Sequence, residues 1–130
     1  PGEGYILIFN NGLGRPDMDY SSVDEIIPPI DSFGNYTYQP GLPYGPDEPI
    51  WSYRAEDPSD FFSINLAGAQ RLPNGNTIIC DGTHGRLFEV THEKEKVWEF
   101  LNQIPDVIDN HVFKVNRYAP DYPGLQYLFE

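Results

Sequence analysis

The chain has 130 residues, a length typical of one domain, and a formal net charge of −12 at pH 7. This acidic balance argues against nucleic acid or an anionic membrane as the main partner, and no apolar run is long enough for membrane insertion. The abundance of glycine (12) and proline (13) favours turns over long helices, and 15% aromatic residues exclude a disordered chain. Cys80 is the single cysteine, so no disulfide can form within one copy.

The first half of the chain contains three candidate strands. Gly4–Phe9 is a nearly continuous apolar run, which predicts a strand that is buried on both faces. Tyr20–Ile27 is predicted as a second strand, and it ends at two prolines. A long loop rich in Pro, Gly and Tyr follows at 28–48, and Ile50–Tyr53 returns as a third strand.

The stretch from 69 to 100 has the pattern of an antiparallel β-meander. Its strands are short, rich in β-branched or alternating residues, and separated by a Pro-Asn-Gly-Asn turn, a glycine-containing turn and a charged turn. The predicted strands are one that ends at Gln70–Leu72, then Thr77–Cys80, Arg86–Val90 and Lys96–Phe100. One small sheet of this kind cannot bury both of its faces, so the unit is expected to recur.

The meander matches the first half of the chain in register. The matched segments are Gly4–Asn10 with Gly75–Asp81, Ser22–Ile26 with Arg86–Val90, and Ile50–Tyr53 with Val97–Phe100. Trp51 and Trp98 fall at the same place in the repeat, which predicts a core position for both. A third copy would begin at His111–Tyr118. Turn-rich, four-stranded units of about 40–50 residues are typical of β-propeller blades.

We therefore predict an all-β fold: a partial β-propeller of about two four-stranded antiparallel blades plus the first strand of a third. Residues 1–130 would form part of a single domain, with blade-like repeats at 1–54 and 66–101 and a strand and tail at 110–130. Propellers typically need about 4–8 blades to close, so we expect a segment of a longer protein or packing against other copies. A small β-sandwich of two meanders is the alternative.

Three stretches carry a family resemblance. Leu72–Thr91 (LPNGNTIICDGTHGRLFEVT), the following KVWEF, and Asn110–Leu125 (NHVFKVNRYAPDYPGL) resemble the bacterial and archaeal arylsulfotransferase (aryl-sulfate sulfotransferase) family. The segment before them resembles the preceding blade of such proteins. The similarity covers nearly the whole chain but only the C-terminal half or so of a family member.

The resemblance implies a six-bladed propeller that is exported to the periplasm, cell surface or exterior. It implies sulfuryl transfer from a phenolic sulfate ester to a phenol, through a transiently sulfated histidine and without a nucleotide sulfate donor or other cofactor. The alternative function is a non-catalytic extracellular propeller used for binding or assembly.

His111 is the first catalytic candidate. In the family's blades a His-Asp pair precedes the inner strand, and His111 lies at such a position, although Val112 replaces the aspartate. Ala67-Gly68 occupies the corresponding place one blade earlier. Arg117 is odd-numbered like His111, so on an extended strand both would share a face, where the guanidinium could bind sulfonate. The structural alternatives are a histidine that caps a strand and an arginine in a salt bridge.

Other residues are weaker candidates for a functional site. His84, in a turn, and Arg71, on an inner strand, are weaker catalytic candidates, and His92 is expected to be solvated. Lys114 would alternate to the opposite face from His111. Asn35 begins an Asn-Tyr-Thr glycosylation sequence. The loosely spaced aspartates Asp17, Asp19 and Asp24 do not match a calcium loop, so no metal is predicted.

Overall fold

The computed structural model describes residues 4–36, 38–104 and 110–128. They form an all-β fold with three short 3₁₀ segments, at Pro58–Asp60, Gly82–His84 and Pro123–Leu128. The strands are β1 (Ile6–Asn10), β2 (Ser22–Ile26), β3 (Trp51–Tyr53), β4 (Ala67–Arg71), β5 (Thr77–Asp81), β6 (Arg86–Val90) and β7 (Lys96–Leu101).

The strands form two antiparallel meanders. The first sheet has the order β1-β2-β3 and the second has the order β4-β5-β6-β7. The all-β class is therefore confirmed, and two packed antiparallel sheets are consistent with part of a propeller.

The first sheet has three strands rather than the predicted four. In the second sheet the additional strand is β4, an edge strand that pairs with β5 along its whole length. Among the described residues, β1 pairs with β2 on one side and with no strand on the other.

The two sheets share a pairing pattern. In the first sheet Glu25 on the middle strand lies opposite Trp51, and in the second Glu89 lies opposite Trp98. Segments that matched in the sequence thus occupy matching places in their sheets.

The core lies between the sheets. Val23 and Trp51 of the first sheet pack against Ile79, Phe88 and Val90 of the second. Phe61, from the connection between the sheets, is buried at the centre, with edge contacts to the rings of Phe9 (5.5 Å) and Phe88 (5.4 Å). Apolar burial stabilises this joint by roughly 25 cal/mol per Å² removed from water.

The prediction that the first strand is buried on both faces is wrong. Leu7 and Phe9 pack against the core, whereas Ile6 and Ile8 are 46% and 38% exposed. The reason is that only one side of the first sheet is covered by another sheet.

The predicted third-blade strand at His111–Tyr118 is not a strand in the structure. This stretch lies on the outer face of the second sheet. The Val112 amide donates to the Gly82 carbonyl (3.0 Å), and the Gln70 side chain bonds both backbone groups of Arg117 (2.8 and 3.0 Å). A single chain segment without a neighbouring strand cannot form a ladder, so side chains and a turn satisfy its backbone.

Candidate functional site

The turn after β5 carries a histidine held by a buried carboxylate. Asp81, 1% exposed, ends the strand, and its Oδ1 lies 2.9 Å from His84 Nδ1 while its Oδ2 lies 3.1 Å from Arg86 Nη2. The His84 side chain is 58% exposed. The turn closes at Gly85, whose φ of 63° favours glycine.

This arrangement orients the His84 ring. An ionised carboxylate only accepts hydrogen bonds, so the nitrogen that faces Asp81 carries the hydrogen. In the neutral imidazole the other ring nitrogen, Nε2, then carries no hydrogen and has a free lone pair. Arg86 also donates to the Asp60 carbonyl (2.6 Å), which fixes the second partner of the Asp81 carboxylate.

We call the end of the second sheet where β4 begins and β5 ends the rim; it comprises residues 63–66, 81–85 and 110–112. The Thr83 hydroxyl donates to the Asn65 carbonyl (2.9 Å) and bonds Ser63 Oγ (3.0 Å). Gly82 has no room for a side chain, since an added Cβ would lie 1.9 Å from the Leu66 oxygen and 2.1 Å from the Val112 oxygen. The three segments are therefore packed backbone to backbone.

His111 is also on the rim. It is exposed, next to Val112, whose amide bonds the turn that carries His84. Within the described part of the chain, the His111 side chain has no hydrogen-bond or ion-pair partner. The structure thus brings His84 and His111 to the same end of the sheet, with His84 the one that is held in place.

Arg117 lies away from the rim, near the opposite end of β4. Its guanidinium pairs with the buried Glu89 carboxylate, and its backbone is held by Gln70. The expected shared face with His111 depends on a strand that is absent, and the structure does not bring the two side chains together.

Arg71 forms a buried ion pair between the sheets. Its side chain is 6% exposed and donates to Glu25 Oε2 and Thr77 Oγ1, both at 2.6 Å. The guanidinium also lies 4.3 Å above the Trp51 ring. Arg71 and Arg117 therefore make equivalent ion pairs in the two repeats. Each pairs with the glutamate that lies opposite the tryptophan of its sheet.

A cavity of about 450 Å³ runs along β4 beside the rim. Its lining includes Asn65, the small residues Ala67 and Gly68, the ring of Phe113, and Lys114. Sequence reasoning assigned Lys114 to the face away from His111, because it assumed strand alternation where the chain is irregular. No sequence signal of another kind points to Lys114.

Other candidates have simpler surroundings. Asn35 is exposed and bonds Asp31, and these hydrogen bonds lower the pKa of the Asp31 carboxyl. Thr37, the last residue of the sequon, lies outside the described residues. His92 is exposed and stacks on Trp51 with 6.3 Å between ring centroids.

Neither a metal nor a cysteine nucleophile is indicated by the described residues. They contain no group of three or more His, Cys, Asp or Glu that could hold a metal ion. Cys80 is buried beneath the 112 segment, and burial followed by the nearby Asp81 charge raises the pKa of its thiol to about 11. The thiol is therefore neutral near pH 7.

No protein-family model, curated protein or solved structure matches the chain. In the described residues, no helix is long and apolar enough to cross a membrane. The case for a function consequently rests on the geometry of the rim and on the motifs in the sequence.

Proposed function

We propose that the chain is part of an arylsulfotransferase-like, six-bladed β-propeller that transfers a sulfuryl group from a phenolic sulfate ester to a phenol. The observation that carries the proposal is the Asp81–His84 pair, in which a buried carboxylate holds an exposed imidazole. The motifs of the sequence support the reaction class, and export from the cytoplasm belongs to the same proposal. His84 is the first candidate for the sulfated histidine, and His111, on the same rim, is the second.

The reaction divides into two displacements at sulfur. In the first, His84 Nε2 attacks, the N–S bond forms and the S–O(aryl) bond breaks; the electron pair leaves with the phenolate, which takes a proton from water. In the second, the oxygen of an acceptor phenol attacks the same sulfur, the N–S bond breaks, and the phenol proton passes to solvent. The free imidazole is restored.

Asp81 contributes electrostatically. Sulfation of a neutral imidazole gives the ring a positive charge, and the buried Asp81 carboxylate, 2.9 Å from Nδ1, stabilises that charge. The hydrogen bond also selects the tautomer of the neutral ring in which Nδ1 carries the hydrogen and Nε2 has the lone pair that attacks sulfur.

The neighbouring cavity suits an aryl sulfate. Phe113 offers an apolar ring surface, and Lys114 offers a cation for the sulfonate oxygens at the wall of the same cavity. A local cation is needed because the chain as a whole is strongly acidic, with a net charge of −12.

The test is sulfate transfer from p-nitrophenyl sulfate to a phenol by the full-length protein, followed as release of p-nitrophenolate. We expect His84→Ala to lower kcat by about 10³-fold or more, as for loss of a nucleophile. His92→Ala is the matched control, because it removes an exposed histidine away from the rim, and it should retain activity. Mass spectrometry of the wild type should find the sulfated histidine.

The outcomes separate the two candidates. If His111→Ala abolishes turnover and His84→Ala does not, the nucleophile is His111 and the assignment of His84 is wrong. If wild type, His84→Ala and His111→Ala all lack turnover, the enzymatic proposal is wrong.

A second candidate function is a non-catalytic propeller that serves in binding or assembly. The observation that favours it is that Arg71 and Arg117, both candidates for sulfonate binding, are engaged by Glu25 and Glu89. If this second function is correct, the protein does not turn over an aryl sulfate. Arg71→Ala and Arg117→Ala then change only its stability.

A further inference from the structure

The chain already contains one complete joint between two sheets. The inner side of the first sheet, with Trp51 and Glu25, is covered by the side of the second sheet that carries Ile79 and Phe88. Arg71, from β4 of the covering sheet, reaches across to Glu25. Trp51 is only 6% exposed as a result.

The matching side of the second sheet, the acceptor face, is only half covered. It carries Ile78, Glu89, Trp98 and Phe100, the counterparts of Leu7, Glu25, Trp51 and Tyr53. The 112–117 segment covers the part near β4, where Arg117 bonds Glu89 just as Arg71 bonds Glu25. Trp98 nevertheless remains 44% exposed and stacks on the exposed Phe100 ring.

The complementary surface is open on the first sheet. Its outer side, the donor face, carries Ile6, Ile8, Asp24 and Ile26, which match the second-sheet residues that cover the first sheet. Four β-sheet positions of this face, Ile8, Asp24, Ile26 and Ser52, line a cleft of about 1200 Å³. The donor face is more polar than the matching face of the second sheet, because it carries Asp24 and Ser52. The Ser52 hydroxyl donates to the Asp24 carboxylate (2.6 Å).

We propose that copies of this chain associate head to tail, with the donor face of one copy seated on the acceptor face of the next. The association repeats the joint that the chain makes internally, so it needs no new kind of packing. Each copy has two sheets, so three copies would supply the six blades of the proposed propeller, and the association can be tested without measuring its catalytic activity.

The strand edges also favour a second copy of the chain as the partner. In the described part of the chain, β1 has no partner corresponding to the one that β4 gives to β5. The 113–117 segment matches β4 because Arg117 matches Arg71. In the second sheet Ala69 pairs with Ile79. Transferred to two copies, this register places Val115 of one copy opposite Ile8 of the next, and the first sheet gains a fourth strand. An unpaired edge is a ready template for such pairing.

The predicted register is tested by cross-linking two cysteine variants. Ile8→Cys and Val115→Cys chains should form a disulfide-linked dimer when they are mixed under mild oxidation, because opposed residues on paired strands have suitable Cβ separations. Each variant alone should stay unlinked, since a head-to-tail joint brings unlike surfaces together. Both variants also carry Cys80→Ala, because the Cys80 thiol lies against the backbone of Val115 and would compete for a cysteine placed there.

The association itself is measured by native mass spectrometry and light scattering. We expect species of two or more copies of the 14.8 kDa chain, with populations that rise with concentration. Trp98→Ala should weaken the association about 30-fold or more, as for a central aromatic residue of an interface. Phe33→Ala is the matched control, since Phe33 is exposed in a loop outside both faces, and it should leave the association unchanged.

Two results would overturn the proposal. One is a single-chain mass for the folded wild type up to about 100 µM, a range in which micromolar affinities are detected; this result would leave the faces to a different partner. The other is cross-linking of Ile8→Cys to itself as readily as to Val115→Cys, which would indicate a symmetric or random contact.

Discussion

Arg71 and Arg117 show how the surroundings of a charged side chain decide its role. Both meet a buried glutamate on a middle strand, yet Arg71 is 6% exposed and Arg117 is 55% exposed. Arg71 bridges two sheets and stacks on Trp51, whereas water can reach the Arg117 guanidinium. The free energy at stake therefore differs, because solvent screens an exposed pair and cannot replace a buried one.

Arg71→Ala should lower the free energy of unfolding by about 2 kcal/mol or more, since it removes the buried ion pair with Glu25, the hydrogen bond to Thr77 and the stacking on Trp51. Arg117→Ala should lower it by about 1 kcal/mol or less, because Glu89 keeps a hydrogen bond from Asn76 (2.7 Å) and gains water. Urea denaturation followed by tryptophan fluorescence measures both. Equal losses would contradict the distinction drawn from burial.

Among the elements, the turn after β5 is packed against backbone on two sides. Gly82 lies between the backbone before β4 and the backbone of the 112 segment, so the turn joins three parts of the rim. The sequence predicts a turn at Asp81–Gly85 from its glycines, but it gives no sign of these contacts. They come from segments far apart in the chain.

Gly82→Ala should destabilise the protein by about 2 kcal/mol or more, because the new methyl group would overlap two carbonyl oxygens. Hydrogen exchange at the Val112 amide, which bonds Gly82, should accelerate beyond the global effect. Gly68→Ala is the control: it meets nothing within 4 Å and should change stability by less than about 1 kcal/mol. Similar losses for the two variants would mean that the rim relaxes around the methyl group.

The stretch after the second sheet, His111–Tyr118, is an element that residue alternation predicted incorrectly. Alternation at His111–Tyr118 predicted a strand, and from it a shared face for His111 and Arg117 and a separate face for Lys114. A strand needs a neighbour to receive its hydrogen bonds, and none is present here, so the segment is bound by Gln70 and Gly82 instead. As a result, Lys114 lies at the cavity beside the rim, and Arg117 lies away from His111.

At the scale of the whole molecule, the aromatic ring of Phe61 packs between the two sheets. Phe61 is 1% exposed and touches rings of both sheets, with centroid distances of 5.4 to 5.9 Å to Phe9, Tyr53 and Phe88. It comes from the connection rather than from a strand, so repeat matching did not single it out.

Phe61→Ala should cost about 3–5 kcal/mol of unfolding free energy, as large-to-small changes in a packed core do. Phe33→Ala, at a loop position 89% exposed, should cost less than about 0.5 kcal/mol. Thermal or urea unfolding of the two variants gives the comparison. A small loss for Phe61→Ala would show that the sheets do not depend on this joint.

The sequence by itself determined the local structure: the strands of both meanders, the turns between them, and the matching positions of Trp51 and Trp98. These follow from residue alternation, β-branched side chains, glycine and proline, which act over a few neighbouring residues. Only the tertiary structure decided that Trp51 is covered and Trp98 is half open, that Arg71 bridges two sheets, and that Asp81 holds His84. Burial and pairing depend on which segments meet in space, and no short-range pattern encodes that.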